Sequence, residues 1–143
     1  MTDVVLITPA NATITYQSLA ARYSAIEPPT WALILAESCR KAGYAPKILD
    51  CLAERLSDQA AIDRIRGINP RFICFVVYGQ NVNAGTTNMS GAVRLAEAIK
   101  ANGVETPIGI IGSHVQALPR ETLETEKAID VGFLNEGVYA LQD

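Results

Sequence analysis

The sequence predicts an α/β fold in which a parallel sheet is covered by helices on both faces. Short apolar runs alternate with segments whose apolar residues recur every three or four positions. Strands that alternate with helices form parallel sheets, because each return to the same edge of the sheet needs a crossover helix. The length of 143 residues and an apolar share of 49% suit one domain with a substantial core, so residues 1–143 are assigned to a single domain.

Two strands and two helices are predicted in the first half of the chain. The strands cover residues 4–7, which are apolar at every position, and residues 46–52. One helix covers residues 30–42, between a Pro-Pro pair and a glycine stop, and the other runs from the N-cap Ser57 to about residue 67. One face of the first helix is predicted to carry Trp31, Ile34, Leu35 and Ser38.

The third strand, residues 71–78 (RFICFVVY), is the most continuous apolar run and is predicted to lie at the centre of the sheet. A polar, uncharged stretch at residues 78–88 (YGQNVNAGTTN) separates this strand from a helix over residues 88–101. The stretch is longer than the roughly two to six residues of most strand-to-helix connections. Its length therefore suggests a function beyond a turn.

A fourth strand at residues 107–111, a short helix at 119–126 and a fifth strand at 128–134 complete the pattern. Five strands in this alternation fit the flavodoxin-like order 2-1-3-4-5, a doubly wound (Rossmann-like) sheet. The winding direction reverses between the first and third strands of that order. Ligands of such sheets bind beyond the carboxyl ends of the strands at this switch point.

The loops at the switch point form the candidate ligand site. They comprise Thr8, Pro9 and Asn11 after the first strand, and Tyr78, Gly79, Gln80 and Asn81 after the third. Glycine lets a backbone approach a ligand closely, and the side-chain amides of Asn and Gln offer donors and acceptors without charge. The alternative interpretation is a solvated loop of ordinary turn residues.

Composition argues against several classes of function. The net charge is -3 and no Lys/Arg cluster occurs, so neither nucleic acid nor a membrane surface is an expected partner. No apolar run approaches the roughly 20 residues of a membrane span. The amino terminus also lacks a signal-peptide pattern. We therefore expect a cytoplasmic protein.

Residues that usually carry catalysis or bind metals are sparse. Cys39, Cys51 and Cys74 are widely spaced and are expected to be buried, reduced structural thiols. His114 is the only histidine, and no nucleophile motif accompanies it. No catalytic residue and no metal ligand is therefore assigned. A flavin- or nucleotide-binding domain and a ligand-free protein-interaction domain remain open as alternatives, and the latter predicts an exposed apolar patch.

Several segments in series resemble one known family. They are residues 26–36 (IEPPTWALILA), 39–44 (CRKAGY), 48–50 (ILD), 68–71 (INPR), 110–119 (IIGSHVQALP) and 130–137 (DVGFLNEG). Together they resemble the amino-terminal cobalamin-binding domain of cobalamin-dependent radical S-adenosylmethionine enzymes. The resemblance covers nearly the whole chain in the same order.

The resemblance implies that cobalamin lies over the carboxyl ends of the strands. Besides the switch-point loops, it implies contacts from Gly112, Ser113 and His114 after the fourth strand, and from Leu134, Glu136 and Gly137 after the fifth. The cobalt-ligating motif D-x-H-x-x-G of other cobalamin proteins is absent, so the nucleotide base is expected to be displaced with no histidine in its place. His114 is not assigned as a cobalt ligand.

The same family carries its catalytic radical domain after the cobalamin domain. That domain holds a [4Fe-4S] cluster on a C-x-x-x-C-x-x-C motif together with S-adenosylmethionine, and no such motif occurs in this chain. The resemblance therefore implies a fragment that binds cofactor without catalysing a reaction alone. Its partner would be a downstream radical domain of the same polypeptide, in a methyltransferase-like or porphyrin-cyclase-like enzyme.

Overall fold

A five-stranded parallel sheet forms the centre of the molecule. The computed structural model describes residues 1–10, 26, 28–78 and 82–142, with the side chains of residues 82–87 left out of the description. The strands are β1 (Val4–Thr8), β2 (Pro46–Asp50), β3 (Phe72–Val77), β4 (Ile108–Gly112) and β5 (Val131–Phe133). Their order is β2-β1-β3-β4-β5 and every pairing is parallel, which confirms the predicted fold class.

Helices cover both faces of the sheet. Among the described residues they are α1 (Thr30–Lys41), α2 (Asp58–Ile68), α3 (Val82–Ala101), α4 (Ser113–Ala117) and α5 (Pro119–Thr125). One core cluster joins α2, α3 and Val115 of α4 to side chains such as Ile7, Phe75 and Ile110. The other joins α1 and the segment 138–141 to Leu6, Cys74 and Ile111. Alternate residues of the strands therefore fill two separate apolar layers, as in a sheet buried on both sides.

Local sequence signals explain where α2 begins and ends. The Ser57 hydroxyl accepts a hydrogen bond from the Ala60 amide at 3.2 Å, which confirms the predicted N-cap. Asn69 ends the helix in the left-handed conformation, with a φ of 49°. Asparagine tolerates this region better than most residues because its short polar side chain bonds locally.

The buried stripe of α1 differs from the predicted face. Ala32, Leu35 and Cys39 are buried, whereas Trp31 and Ile34 are 36% and 45% exposed. Small side chains at two of the three buried positions let the helix lie close to the sheet. Of the predicted face, only Leu35 is fully buried, and the rest of that face flanks the core.

The loop after β3 is shorter than predicted. Helix α3 begins at Val82, six residues before the predicted start at Asn88, so the connection from Tyr78 to Asn81 has an ordinary length. The prediction of an unusually long loop was therefore wrong, and its length no longer supports a function. Residues 82–87 (VNAGTT) lack a helical apolar period and carry weak helix formers, which is why the sequence suggested a loop.

The other boundaries differ by a few residues. Strand β2 ends at Asp50, because the Asp50 carboxylate and carbonyl accept bonds from Ala53 and Glu54 and turn the chain. The third strand is one residue shorter at each end than predicted, the fourth is shifted by one residue, and β5 is only three residues long. A separate short helix, α4, fills part of the predicted turn before α5. Within the described ranges, no helix has the length and hydropathy of a membrane span.

Candidate functional site

The predicted site residues that the structure describes lie along one edge of the sheet. Parallel pairing puts Thr8 opposite Asp50, Val77 opposite Gly112, and Ile111 opposite Phe133. The segments after β1, β3, β4 and β5 therefore leave the sheet at the same edge. The predicted positions Asn11, Gly79, Gln80 and Asn81 lie outside the described residues.

Close contact between β3 and β4 requires a glycine at the end of β4. A Cβ atom on Gly112 would lie 2.2 Å from the Val77 carbonyl oxygen. The next residue, Ser113, has a buried hydroxyl that makes no hydrogen bond within the described part of the chain. An unpaired buried hydroxyl costs roughly 1–3 kcal/mol. Ser113 thus presents an unused polar group where the strand ends.

His114 follows in the first turn of α4 and is partly buried. Its carbonyl accepts the Leu118 amide at 3.0 Å, a contact that closes this short helix. No group of three or more His, Cys, Asp or Glu side chains among the described residues is arranged to hold a metal ion. His114 is therefore not part of such a group among the described residues.

An aromatic contact joins α1 to the end of β3. The rings of Trp31 and Tyr78 are stacked, with centroids 4.4 Å apart and planes 24° apart. The Tyr78 hydroxyl donates to the Asn135 carbonyl at 3.2 Å. Burial, the Glu136 carboxylate and Cys74 raise the pKa of Tyr78, so its phenol remains a neutral donor. These contacts connect the segments after β3 and β5.

The loop after β5 has backbone constraints of its own. Asn135 and Gly137 have φ values of 62° and 67°, in the left-handed region. A Cβ on Gly137 would lie 2.0 Å from the Ile111 Cδ1, so the backbone passes directly over β4. Leu134 and Glu136 are exposed on this loop. The sequence DVGFLNEG thus ends in a turn that needs a glycine at its final position.

The loop after β1 is attached to the opposite layer of helices. Thr8 is half-buried and its carbonyl accepts the Cys51 amide at 3.0 Å, while Pro9 is buried. The Ala10 carbonyl accepts from Arg94 Nη2 at 3.3 Å. Arg94 also bonds Asp58 at 2.8 Å, and this pairing raises the pKa of the guanidinium. Arg94 therefore anchors the start of the loop.

A cavity of about 380 Å³ lies elsewhere, on the α1 face of the sheet. Its lining includes Asp3, Tyr44 and Arg71 near the amino ends of the strands. Phe72 and Phe133 meet edge to face over Gly109 and contribute to its wall. The cavity is therefore distinct from the edge at which Thr8, Tyr78 and Ser113 converge, and fold topology is the better guide to the site.

All three cysteines are free and buried, as predicted. Burial, and secondarily Asp50, Glu54 and Asp58, raise the pKa of Cys51 to about 12. Burial likewise raises the pKa of Cys39 and of Cys74. A thiol needs its thiolate form to react or to bind a metal, so these residues serve packing.

Comparison with known proteins gives a consistent result. A family model described as B12 binding domain matches residues 16–143. Two solved structures of the radical S-adenosylmethionine methyltransferase TsrM from Kitasatospora setae share the fold. One, with tryptophan substrate and the analogue aza-SAM, has a TM-score of 0.70 and 16% identity, covering 99% of this chain and 25% of that chain.

The second structure of TsrM, with cobalamin and a [4Fe-4S] cluster, has a TM-score of 0.63 and 13% identity and covers 89% of this chain and 21% of that chain. No curated protein matches. The chain thus spans a quarter or less of the proteins it resembles in structure. The family match confirms the expected cobalamin-binding domain, and the chain belongs to the B12-binding domain family.

Proposed function

We propose that this chain binds cobalamin at the carboxyl ends of its parallel strands, with the nucleotide base displaced and no histidine on cobalt. We further propose that it is the cofactor module of a larger protein similar to radical S-adenosylmethionine methyltransferases. The observation that carries the proposal is the B12 binding domain match over residues 16–143. The convergence of Thr8, Tyr78 and Ser113 at one edge of the sheet supports it.

The groups at this edge suit an uncharged, amide-rich ligand such as a corrin. The unpaired Ser113 hydroxyl offers a hydrogen bond to the cofactor, and Gly112 keeps side-chain bulk away from the end of β4. Small residues and neutral hydrogen-bonding groups bind amides without the desolvation cost of a charge. The residues that we assign to cofactor contact are Thr8, Pro9, Asn11, Tyr78, Gly79, Gln80, Asn81, Gly112, Ser113, His114, Leu134, Glu136 and Gly137.

The proposed absence of a histidine ligand rests on sequence and placement. Residues 9–29, which follow β1, contain no histidine. His114 belongs to the turn after β4 and lies in the first turn of the short helix α4. Tyr78 uses its hydroxyl on the Asn135 carbonyl. We therefore propose that neutral groups cover the lower face of the corrin.

Bound cobalamin supplies a cobalt centre that accepts and releases a methyl group. The chain's part is to hold and orient the cofactor and to keep water from its lower face. Arg94 holds Ala10, just after β1, through its carbonyl, and Gly137 brings the loop after β5 onto Ile111. Preorganised loops reduce the entropy lost when a ligand binds.

The remaining chemistry is proposed to lie outside these 143 residues. A radical domain with S-adenosylmethionine and a [4Fe-4S] cluster would follow in the same cytoplasmic polypeptide. The chain itself has no C-x-x-x-C-x-x-C motif. The quarter or less of the TsrM chains that it covers supports this division of labour. A methyltransferase-like or porphyrin-cyclase-like reaction is proposed for the whole protein.

The test is a retention experiment with two cofactors. The purified chain is mixed with hydroxocobalamin and, separately, with flavin mononucleotide, and each sample is passed through gel filtration while absorbance is recorded. We expect corrin bands to elute with the protein at about one equivalent, shifted as for a displaced base. Retention of flavin alone would instead support the nucleotide-binding alternative.

Loss of both cofactors would support the alternative of a protein-interaction domain. A matched pair of variants locates the site. Glu136→Trp adds bulk in the exposed loop after β5 at the proposed site and is expected to abolish corrin retention, while Glu97→Trp adds the same bulk on the exposed surface of α3. Equal retention by the two folded variants would place the cofactor elsewhere.

A further inference from the structure

We infer that Trp31 and Tyr78 form a positioning pair that holds the loop after β5 against the end of β3, and so sets how tightly cobalamin is held. The inference rests on the proposed cobalamin site. It concerns Trp31, which lies on α1 and is not one of the residues assigned to cofactor contact. Neither side chain needs to touch the cofactor for the pair to act.

The pair is held by two different contacts. Trp31, in the first turn of α1, stacks on Tyr78 with 4.4 Å between ring centroids. Tyr78 then donates to the Asn135 carbonyl at 3.2 Å. The stack restricts the direction of the phenol, and the phenol restricts the backbone of the loop. One α1 side chain thereby influences a loop that follows it by about a hundred residues.

The loop needs such a contact because its backbone adopts an uncommon conformation. Asn135 has a φ of 62°, in the left-handed region that asparagine tolerates better than most residues but adopts less readily than glycine does. Beyond the loop, the Val138 carbonyl accepts from the Ser38 hydroxyl at 2.8 Å, and Gly137 lies against Ile111. Tyr78 thus supports the part of the loop that lies between β5 and these later contacts.

The pair lies beside the core. Trp31 is 36% exposed, and Tyr78 is only partly buried against the α1 layer. The strand pairings of the sheet do not involve either ring. We therefore expect that breaking the pair leaves the fold intact and changes the spacing between two loops that border the site.

Three variants and one control test the inference. Trp31→Leu removes the stack but keeps apolar volume, Trp31→Phe keeps an aromatic ring, and Tyr78→Phe keeps the ring but removes the hydroxyl. Leu33→Ala is the control, because Leu33 is an exposed apolar residue on the same helix, 51% accessible. Each is measured for cobalamin affinity, for the dissociation rate and for the absorbance spectrum of the bound cofactor.

Trp31→Leu is expected to weaken cobalamin binding by about three- to tenfold. This is the change in affinity that corresponds to losing the energy of one aromatic pair. Trp31→Phe is expected to restore most of that loss. Tyr78→Phe is expected to weaken binding by about two- to tenfold, the range for one hydrogen bond. The double variant Trp31→Leu/Tyr78→Phe should lose less than the product of the two effects, because both act on one loop.

If the pair served the fold alone, the variants would lower the unfolding midpoint but leave the cobalamin affinity and the spectrum unchanged at temperatures where the protein is folded. That result would overturn the inference, and so would a loss of cobalamin affinity no greater than that of Leu33→Ala. If Trp31→Leu fails to fold, Trp31→Met decides, since it removes the ring, keeps a long apolar side chain and lies at a position that is not assigned to cofactor contact. A wild-type chain that retains no cobalamin would refute the proposed function itself, which keeps the two failures distinct.

Discussion

The end of β4 lies against β3 so closely that Gly112 has no room for a side chain next to Val77. A Cβ atom there would meet the Val77 carbonyl oxygen at 2.2 Å and its carbonyl carbon at 2.8 Å. Both are backbone atoms paired in the sheet register, so neither can move without disturbing the strands. The same glycine precedes the buried Ser113 hydroxyl, which makes this position important for both stability and the site.

The first prediction is that Gly112→Ala lowers the free energy of unfolding by about 1–3 kcal/mol, as for other overpacked cores. Gly67→Ala is the matched control. Gly67 lies within α2 with nothing within 4 Å of an added Cβ. That substitution should stabilise the chain by about 0.5–1 kcal/mol. Urea denaturation of both variants measures the effects, and equal stabilities would contradict the assigned packing.

The strand order was predictable because the apolar runs are distinct and regularly separated by helical patterns. Each of the five strands coincides with one run, and topology rules leave few ways to connect them. The start of α3 was not predictable from residues 82–87 (VNAGTT), since their local preferences oppose a helix. The buried stripe of α1 was missed because Trp31 and Ile34 are large and apolar, yet lie beside the core.

The second prediction concerns Gly137, whose backbone has a φ of 67° and lies over Ile111. Gly137→Ala is expected to lower the free energy of unfolding through two costs, a left-handed alanine and a clash with the Ile111 Cδ1 at 2.0 Å. Ile111→Val removes that carbon. The double variant should therefore recover the part of the loss due to the clash while the backbone cost of about 1 kcal/mol remains. If thermal unfolding showed that the stability losses of Gly137→Ala and Ile111→Val simply add in the double variant, the contact between Gly137 and the Ile111 Cδ1 would be contradicted.

The third prediction is a pH dependence carried by Asp130. Burial alone would raise the pKa of this carboxyl, but the Ile108 amide at 2.8 Å and the Lys100 ammonium at 3.1 Å outweigh it and hold the pKa below its usual range. Since the folded pKa is the lower one, the ionised carboxylate stabilises the fold above the unfolded pKa of about 3.9. This contribution is lost as the pH falls through the folded pKa.

Asp130→Asn should therefore be less stable than wild type at pH 7, and the difference should shrink as the pH falls below the unfolded pKa of about 3.9 and through the lower folded pKa. The Asp130 side chain is 44% exposed, so screening by solvent keeps the effect below about 1 kcal/mol. Glu97→Gln, an exposed carboxylate on α3, is the control. Denaturant titrations across this pH range measure both, and parallel curves for wild type and Asp130→Asn would refute the pairing.

The fourth prediction is that the thiols are inert in the folded chain. With its pKa raised to about 12, Cys51 holds about a thousandfold less thiolate at pH 8 than an ordinary thiol with a pKa near 8.5. Cys39 and Cys74 are buried as well. A chromogenic disulfide reagent should react slowly with the native protein. After unfolding, it should react with all three thiols of the chain. A fast equivalent in the native state would contradict this.

Part of the site could be predicted from the sequence and part could not. The convergence of Thr8 and Tyr78 was predictable because one follows and the other ends a predicted strand, and parallel strands bring such residues to one edge. Ser113 was proposed from the resemblance to cobalamin-binding domains. Trp31 and Arg94 were missed as supports of the site. Their contacts with Tyr78 and the Ala10 carbonyl join helices to loops distant in sequence, and only the tertiary structure reveals them.

The fifth prediction uses the buried, unpaired hydroxyl of Ser113. Ser113→Ala removes a polar atom that has no hydrogen bond among the described residues. The free energy of unfolding of the cofactor-free chain should therefore stay the same or rise by as much as about 1–3 kcal/mol. The same change should weaken cobalamin binding by about two- to tenfold, the value of one hydrogen bond. Opposite signs are expected because the hydroxyl is costly to the empty fold and useful only to the ligand.

Ser57→Ala is the contrasting control. Ser57 accepts the Ala60 amide at 3.2 Å as the N-cap of α2, so its loss should cost about 1 kcal/mol of stability and leave cobalamin affinity unchanged. Urea denaturation gives the stabilities, and spectroscopic titration with hydroxocobalamin gives the affinities. If Ser113→Ala were destabilised like Ser57→Ala and bound cobalamin as wild type does, the hydroxyl would have a structural partner. In that case Ser113 would no longer be assigned to cofactor contact, because its hydroxyl would stabilise only the fold.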